Sequence, residues 1–315
     1  MGIENLRNIF ITTHGAVIRK RKYELIVEVK NRKYSIPFGT FSNVFIVANV
    51  NLTTPVIKSL SGSGKYIFIV RTNGELSSII LPQFLRSSSK RRINQYKSFE
   101  IEYKKVAMIQ ELLRRKALLA QWILEKFYDY SGRHYLEKSV IKSFYKDTAK
   151  WIEKSDKISL LRSIDGFIMN SLYRHFSAAI SGKWKFEKRT YNPPENEVNS
   201  LLSLVYTYTY SILIPLIVSF DLDPYCGFFH EKRGKHAALA SDILEILRPG
   251  LIFFVADMLN SEFLTKSDFR KTKRSVLIKP EALKVISKLY SEKILNSDFF
   301  FPVSLFIHEV VLKYL

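Results

Sequence analysis

The sequence predicts an α+β protein of several domains, with a small β-rich N-terminal domain over residues 1–85 and a larger all-α domain over residues 93–315. Three observations support this fold class. The length of 315 residues exceeds the size at which one core usually stops growing. Short runs of β-branched and aromatic residues fill the first part of the chain, whereas apolar residues at helical spacing dominate the rest. With 47% hydrophobic residues, the chain can bury a large core.

The N-terminal part is predicted to form strands separated by turns. Its runs of strand-forming residues are YELIVEV, KYSIPF, NVFIVANV, KYIFIVRT and LSSIIL. Asn73-Gly74 lies between the last two runs, and both central positions of a type I′ turn need the positive φ that these residues tolerate. The pattern therefore predicts a β-hairpin.

The segment LSGSGK at residues 60–65 is similar to a phosphate-binding loop but lacks two of its defining residues. Ser59 stands where the first glycine should be, and Tyr66 stands where a metal-binding Ser or Thr should be. We therefore predict a flexible turn at this point.

Pro82 and the polar run RSSSKRR mark a change in composition, so we predict a linker at residues 86–92. From about Ile93 onward the apolar spacing is helical, beginning with a long amphipathic helix. Further helices are predicted near residues 139–151, 159–181, 197–220, 237–260, 280–290 and 302–314.

Residues 198–220 are uncharged and long enough to cross a bilayer. Several polar side chains and Pro215 interrupt this run, and acidic residues flank it, so a buried core helix is the better interpretation. The first eleven residues lack a signal-peptide core, and Cys226 is the single cysteine. These features predict a cytoplasmic protein with no membrane partner.

The chain is strongly basic, with 49 Lys and Arg against 29 Asp and Glu, a formal charge of +20 and a pI near 9.8. Such a field attracts polyanions. Nucleic acid is favoured over an anionic membrane surface, because no basic amphipathic helix or lipidation signal is present.

The sharpest chemical motif is GFFHEKRGKHAALASDILEILRP at residues 227–249. Asp242 and Glu245 are three residues apart in a helical pattern and therefore project from one face. Such carboxylates suit Mg²⁺ or Mn²⁺, and His230 would shift the preference toward Mn²⁺. A solvent-facing acidic pair and a His packed beside aromatic residues are the alternatives, and local spacing does not decide between them.

Asp165 in LLRSIDGFIMNSLYRHF is a further candidate, because a carboxylate within an apolar helical pattern costs several kcal/mol to bury unless it is paired or metal-bound. The alternative is an ion pair with Arg162, one turn earlier.

Four segments together resemble the CRISPR-associated integrase family that captures new spacers. They are LLRSIDG at 160–166, PPENEVNSLLSLVYTY at 193–208, DLDPYCGFFHEKRGKHAALASDILEILRP at 221–249, and Asn260. The N-terminal segment GELSSIILP agrees with the β-rich domain of that family.

The resemblance implies that the metal ligands are Asp165, His230 and Glu245, with Asp242 as a supporting catalytic residue. It also implies one departure at the site, since the family normally has Glu where this chain has Asp165. The Asp-Pro that precedes the Val-Asn pair in the family is altered here to Asn196-Glu197.

The activity implied is metal-dependent DNA integration into a CRISPR array, in which a 3′-hydroxyl attacks the repeat by transesterification. The resemblance also implies a homodimer formed through the β-rich domains and a small companion protein of the adaptation complex. The basic residues near the motif are candidates for DNA phosphate contacts: Arg162, Lys232, Arg233 and Lys235. Two alternatives are a catalytically silent DNA-binding scaffold and a general nuclease acting on branched DNA.

Overall fold

The computed structural model describes residues 8–30, 32–71, 76–82, 88–130, 137–180, 182–191, 193–230, 234 and 236–315. A strand-rich N-terminal region is followed by a mostly helical region, which confirms the predicted fold class.

The strands are short and lie mostly in the first 80 residues. They are β1 (Asn8–Ile11), β2 (Val17–Arg21), β3 (Glu24–Val29), β4 (Arg32–Pro37), β5 (Asn43–Ile46), β6 (Asn51–Leu52), β7 (Ile67–Val70), β8 (Leu76–Ile80), β9 (Phe269–Lys271) and β10 (Val276–Ile278).

The α-helices are longer and match most of the predicted segments. They are α1 (Thr54–Gly62), α2 (Ser88–Ser98), α3 (Glu102–Tyr130), α4 (Lys138–Glu153), α5 (Ile158–Ala179), α6 (Glu197–Val218), α7 (Ala238–Asn260), α8 (Pro280–Tyr290) and α9 (Phe301–Phe306).

The chain divides into two compact units. The strand-rich unit comprises Met1–Lys97, Tyr208–Pro224 and Leu289–Leu315, and the helical unit comprises Ser98–Thr207 and Tyr225–Lys288. This division differs from the single cut predicted at residues 86–92, most of which lie in helix α2. The difference arises because side chains of α2 bind a later segment of the same unit, as in the hydrogen bonds of Gln95 with the backbone of Asp223.

The strand-rich unit contains two four-stranded sheets, ordered β1-β5-β7-β8 and β4-β3-β2-β6. Strands β1, β5 and β7 are parallel, whereas β7 and β8 pair antiparallel, as the predicted hairpin requires. The predicted turn at Asn73-Gly74 itself lies outside the described residues. Among the described residues of this unit, one apolar cluster contains eleven buried side chains: Ile11, Ala16, Ile18, Leu25, Val27, Phe41, Val44, Ile46, Val56, Leu60 and Ile67.

Helix α1 corrects the prediction of a flexible turn at residues 60–65. The helix covers the first three of these residues, begins with Pro55 in its first turn, and buries Val56 and Leu60. Parallel strands need a crossover between them, and α1 lies in the connection from β5 to β7. The serines and glycines that suggested a loop end the helix rather than prevent it.

The helical unit is built around α3, which packs against α4, α5 and α7. Helix α7 is buried on almost all sides, in agreement with its nearly continuous apolar sequence. Because α3, α5 and α7 also pack in pairs, side chains from three distant parts of the sequence meet between them.

In the described part of the chain, α6 is the one unbroken helix that is long and apolar enough to cross a membrane. The bent pair Pro280–Leu295 and Asp298–Tyr314 meets the same criteria when it is taken as one span. Within the apolar window of α6, 61% of the residues are buried by the protein itself, as expected for a core helix.

Candidate active site

Five charged residues converge where α3, α5 and α7 pack together. We call this set the charge cluster: Lys116, Asp165, Asp242, Glu245 and Arg248. Lys116 comes from α3 and Asp165 from α5, whereas the other three lie on consecutive turns of α7. The segment before α7 adds His230.

Lys116 lies at the centre of the charge cluster and has no solvent exposure. Its ammonium donates to Oδ1 of Asp165 at 2.5 Å and to Oε2 of Glu245 at 2.6 Å. Burial alone would lower the pKa of Lys116, but the two carboxylates outweigh it and hold this pKa above its ordinary value. The residue is therefore a buried cation that bridges two acidic side chains.

Glu245 is 1% exposed and has a second cationic partner, since NH2 of Arg248 lies 3.1 Å from its Oε1. Burial acts to raise the pKa of the Glu245 carboxyl, but Arg248 and Lys116 outweigh it, so this pKa lies below its ordinary value. Glu245 is therefore ionised at neutral pH despite its burial.

Asp242 organises the segment that carries His230. Its Oδ2 accepts the backbone N–H groups of Phe228 and Phe229 at 2.6 and 3.1 Å. Its Oδ1 accepts the backbone N–H and ring Nδ1 of His230 at 2.7 and 2.8 Å. Four hydrogen bonds to one fully buried carboxylate fix both the backbone and the imidazole.

The Asp242 contact also sets the orientation of His230. Because Nδ1 donates its proton to the carboxylate, Nε2 is the acceptor of the neutral ring, and it lies 4.0 Å from Oε1 of Glu245. Burial lowers the pKa of His230, but the hydrogen bond and charge of Asp242 outweigh it and place this pKa above the ordinary value.

Two further residues position the His230 segment, one against α7 and one against α5. A Cβ on Gly227 would lie 2.8 Å from both the Ala238 Cβ and Oδ2 of Asp242, so only glycine permits this approach. From α5, NH2 of Arg162 donates to the carbonyl oxygen of Phe229 at 3.1 Å.

A layer of aromatic and basic residues extends from Arg248. Its guanidinium lies over the ring of Tyr206, 5.3 Å from the ring centroid, and Arg189 lies 5.6 Å from the same ring. The hydroxyl groups of Tyr206 and Tyr173 are 3.2 Å apart. The Tyr206 ring therefore covers part of the Arg248 guanidinium.

The structure brings the four predicted catalytic residues into one region but gives them different surroundings. Asp165 and Glu245 share the Lys116 ammonium, whereas Asp242 binds His230 and the backbone. Arg162 contacts the Phe229 carbonyl and not Asp165, so the alternative ion pair proposed from the sequence is wrong. Lys232, Arg233 and Lys235, the other predicted DNA contacts, lie outside the described residues.

Sequence reasoning missed Lys116, although its position carries a signal. It occurs at the spacing of the apolar stripe of α3, four residues after Leu112 and four before Ala120, both of which are fully buried. A lysine on a buried helix face requires an acidic partner, and the two candidate acids were elsewhere in the sequence.

The donor types at this site fit a divalent cation, since two carboxylates and an imidazole nitrogen suit Mn²⁺ or Mg²⁺. The carboxylates of Asp165 and Glu245 already hold a positively charged group between them, namely the Lys116 ammonium. In this arrangement no three His, Cys, Asp or Glu side chains of the described ranges stand close enough to hold an ion together. The chemistry of the donors therefore fits a metal, while Lys116 takes the position between them.

A family model described as CRISPR associated protein Cas1 matches residues 9–292 of the chain. The CRISPR-associated endonuclease Cas1 of Nanoarchaeum equitans is 25% identical over 298 residues, which cover 92% of this chain and 87% of the relative. The enzyme of the same name from Fusobacterium nucleatum subsp. nucleatum is 22% identical over 294 residues, covering 93% of this chain and 86% of the relative.

Solved structures share the fold. A partial Cas6-RT-Cas1–Cas2 complex superposes with a TM-score of 0.80 at 19% identity, covering 98% of this chain and 94% of the other. A casposase bound to its integration product gives a TM-score of 0.72 at 18% identity, with coverage of 98% and 96%. The chain therefore shares its fold, a strand-rich part followed by a helical part, with the Cas1 and casposase structures.

The match of the family model over most of the chain is more specific than this shared fold. The chain belongs to the Cas1 family.

Proposed function

We propose that this protein is a DNA endonuclease and integrase that joins 3′-hydroxyl ends of a captured DNA to a CRISPR repeat by transesterification. The single observation that carries the proposal is the charge cluster, in which ionised side chains are buried at a position shared by three helices. Buried charges of this kind are costly and concentrate at functional sites. The names of the curated relatives as CRISPR-associated endonucleases support the same activity.

In this proposal the residues of the chain act by holding geometry. Asp242 fixes the tautomer of His230, so that Nε2 lies on the side of Glu245 and is available to a ligand or substrate. Gly227 permits the close approach of the His230 segment to α7, and Arg162 ties the same segment to α5. No side chain needs to act as the nucleophile, because the attacking group is a hydroxyl of DNA or water.

A divalent ion is the cofactor that we propose for this site. When bound by Asp165, Glu245 and Nε2 of His230, Mn²⁺ or Mg²⁺ would polarise the phosphodiester and offset charge on the attacking and leaving oxygens. The two carboxylates contribute the hard oxygen donors that such ions prefer.

The proposed partners are double-stranded and branched DNA, a second copy of the chain, and a small Cas2-type companion. The formal charge of +20 supports a polyanionic partner. Similar solved structures include a partial Cas6-RT-Cas1–Cas2 complex and a Cas1–DNA complex, which support these partners.

The experiment that tests this function is strand joining by His230→Ala on a labelled branched DNA, with Mn²⁺ added. We expect joining and cleavage to fall below about one hundredth of the wild-type rate, since removal of a residue that orients a metal site typically costs 10- to 100-fold or more. DNA affinity should stay within about twofold, because phosphate contacts dominate binding. His308→Ala is the matched control, as His308 is partly exposed and is not one of the residues assigned to the site.

Wild-type joining in His230→Ala would exclude the catalytic assignment. A wild-type protein that binds DNA but neither cuts nor joins it in Mn²⁺ would support the scaffold alternative. Cleavage of branched DNA without any joining would support the general nuclease alternative.

A further inference from the structure

The charge cluster is balanced by a cation that belongs to the protein. With all three carboxylates ionised, Asp165, Asp242 and Glu245 face two full cations, Lys116 and Arg248, which leaves one net negative charge among these five groups. The carboxylate of Asp242 already accepts four hydrogen bonds from residues 228–230. Only Asp165 and Glu245 therefore remain to receive a further cation, and both already contact Lys116.

The Lys116 ammonium competes with a metal for the same oxygens. It lies 2.5 and 2.6 Å from one oxygen of each carboxylate, so a divalent ion bonded to both oxygens would stand close to the ammonium. Two positive groups at such a distance also repel strongly in a buried site.

We propose that Lys116 is a resident counter-ion that a divalent metal must displace, and that Lys116 thereby sets the metal affinity of this site. This inference rests on the proposed function only in assuming that a divalent ion binds at Asp165 and Glu245. In the metal-free protein the ammonium keeps the two carboxylates together at fixed spacing. On metal entry it moves off them and remains nearby as a positive charge.

The charge count gives the displaced lysine a further role. With a divalent ion added and Lys116 retained in the vicinity, the excess of one negative charge becomes an excess of one positive charge. A site with one excess positive charge attracts an anion. Binding of the metal and binding of a DNA phosphodiester therefore each raise the affinity of the site for the other. Metal alone therefore binds weakly, and DNA strengthens its binding.

The test is Mn²⁺ titration followed by electron paramagnetic resonance, performed on the full chain without DNA. Lys116→Met keeps most of the side-chain volume and removes the charge, so we expect it to bind Mn²⁺ at least tenfold more tightly than wild type. Lys116→Arg retains a positive charge at this position, and its Mn²⁺ affinity should not exceed that of wild type. Lys126→Met on the same helix is the matched control, because Lys126 is exposed and lies over Trp122.

Thermal unfolding gives a second readout that does not depend on joining activity. Without metal, Lys116→Met should unfold at a lower temperature than wild type, because two buried carboxylates lose their shared cation. Mn²⁺ should raise the unfolding temperature of Lys116→Met more than that of wild type. If Lys116→Met does not fold, Lys116→Gln offers a neutral side chain that can still donate to one carboxylate.

The inference is overturned if wild type binds Mn²⁺ and the neutral variants bind it no more tightly. In that case the proposed function stands, provided that wild type still joins DNA in Mn²⁺. Absence of Mn²⁺ binding by wild type and by both neutral variants would overturn the inference and the proposed metal together.

Discussion

The cores of the two units differ in the kind of side chain that they bury. In the described part of the strand-rich unit, a cluster of eleven buried side chains is entirely apolar. Between the helices of the other unit, Lys116, Asp242 and Glu245 are each at most 1% exposed. The apolar core is stabilised by removal of surface from water, which needs no specific partner. The charge cluster depends on every partner being present, because a buried charge without one is strongly destabilising.

The apolar side chains maintain the fold, whereas the charge cluster arranges groups for a functional site. An apolar core of the same volume would be as stable as the charge cluster or more so, since replacing buried ion pairs by apolar residues is often neutral or stabilising. A stable fold of the helical unit therefore does not require these buried charges. Chemistry is the better explanation for the cluster than folding.

The largest effect on the charge cluster is expected for Glu245→Ala, which removes the partner shared by Lys116 and Arg248. We expect a loss of about 3–5 kcal/mol in the free energy of unfolding, because two buried cations lose a carboxylate. Strand joining should be abolished as well. Urea unfolding and a joining assay on the same preparation measure both effects.

Glu111→Ala is the matched control for this variant. Glu111 also pairs with two cations, Arg115 at 2.9 Å and Arg114 at 3.7 Å, but on a partly exposed face of α3. Surface pairs contribute only about 0.2–1 kcal/mol, so this change should be small. Equal losses for the two glutamates would contradict the distinction drawn between buried and exposed pairs.

Leu60→Ala is the corresponding test of the apolar core, with the same unfolding and joining measurements. Leu60 is fully buried on α1, and its truncation should cost about 3 kcal/mol through lost burial and an unfilled cavity. Joining by the fraction that remains folded should be unchanged, because this side chain belongs to the apolar core. Leu118→Ala, at a position 56% exposed, should have little effect on either measurement.

Gly227→Ala tests the packing that holds His230. The added methyl would lie 2.8 Å from Oδ2 of Asp242 and 2.9 Å from the backbone of Ala238, so the segment has to shift. We expect a destabilisation of about 1–3 kcal/mol, as for other overpacked sites, and a loss of joining at least as large as that of His230→Ala. Denaturant unfolding and the joining assay separate the two contributions.

The smallest expected effect has the opposite sign and comes from Gly166→Ala. Gly166 lies within helix α5, and a Cβ there would meet no heavy atom within 4 Å. Alanine should stabilise the helix by about 0.5–1 kcal/mol, because glycine loses more backbone entropy on folding. If Gly166→Ala is destabilised instead, the effect of Gly227→Ala no longer points to its close contacts with Ala238 and Asp242. A glycine without such contacts would then resist substitution as well.

The sequence predicted the helices well because their apolar spacing is a local property, as the agreement of α5 and α7 with the predicted segments shows. It missed α1, where Pro55 and the serines and glycines after Ser59 resemble loop composition, because helix formation there depends on burial of Val56 and Leu60. That burial is a tertiary effect that propensity does not contain.

The residues of the candidate site also fall into two groups, those that a local sequence pattern predicts and one that only tertiary packing brings in. Asp242, Glu245 and His230 lie within sixteen residues of each other, so their spacing could be read as a motif. Lys116 joins them only because α3, α5 and α7 pack together. Its partners are 49 and 129 residues away in the sequence, so no local pattern predicts the bridge.

The strand-rich unit is assembled from segments that the ribosome makes at very different times. Phe10 stacks on Phe300 with ring centroids 5.7 Å apart, and Tyr66 donates to Asp221 at 2.8 Å, all within this one unit. Chains generally fold from the N-terminus as they emerge during synthesis, but here the early strands wait for partners made much later. Until those late segments are made, the apolar surface that they cover is open to solvent, and such surface in an unfinished chain favours aggregation.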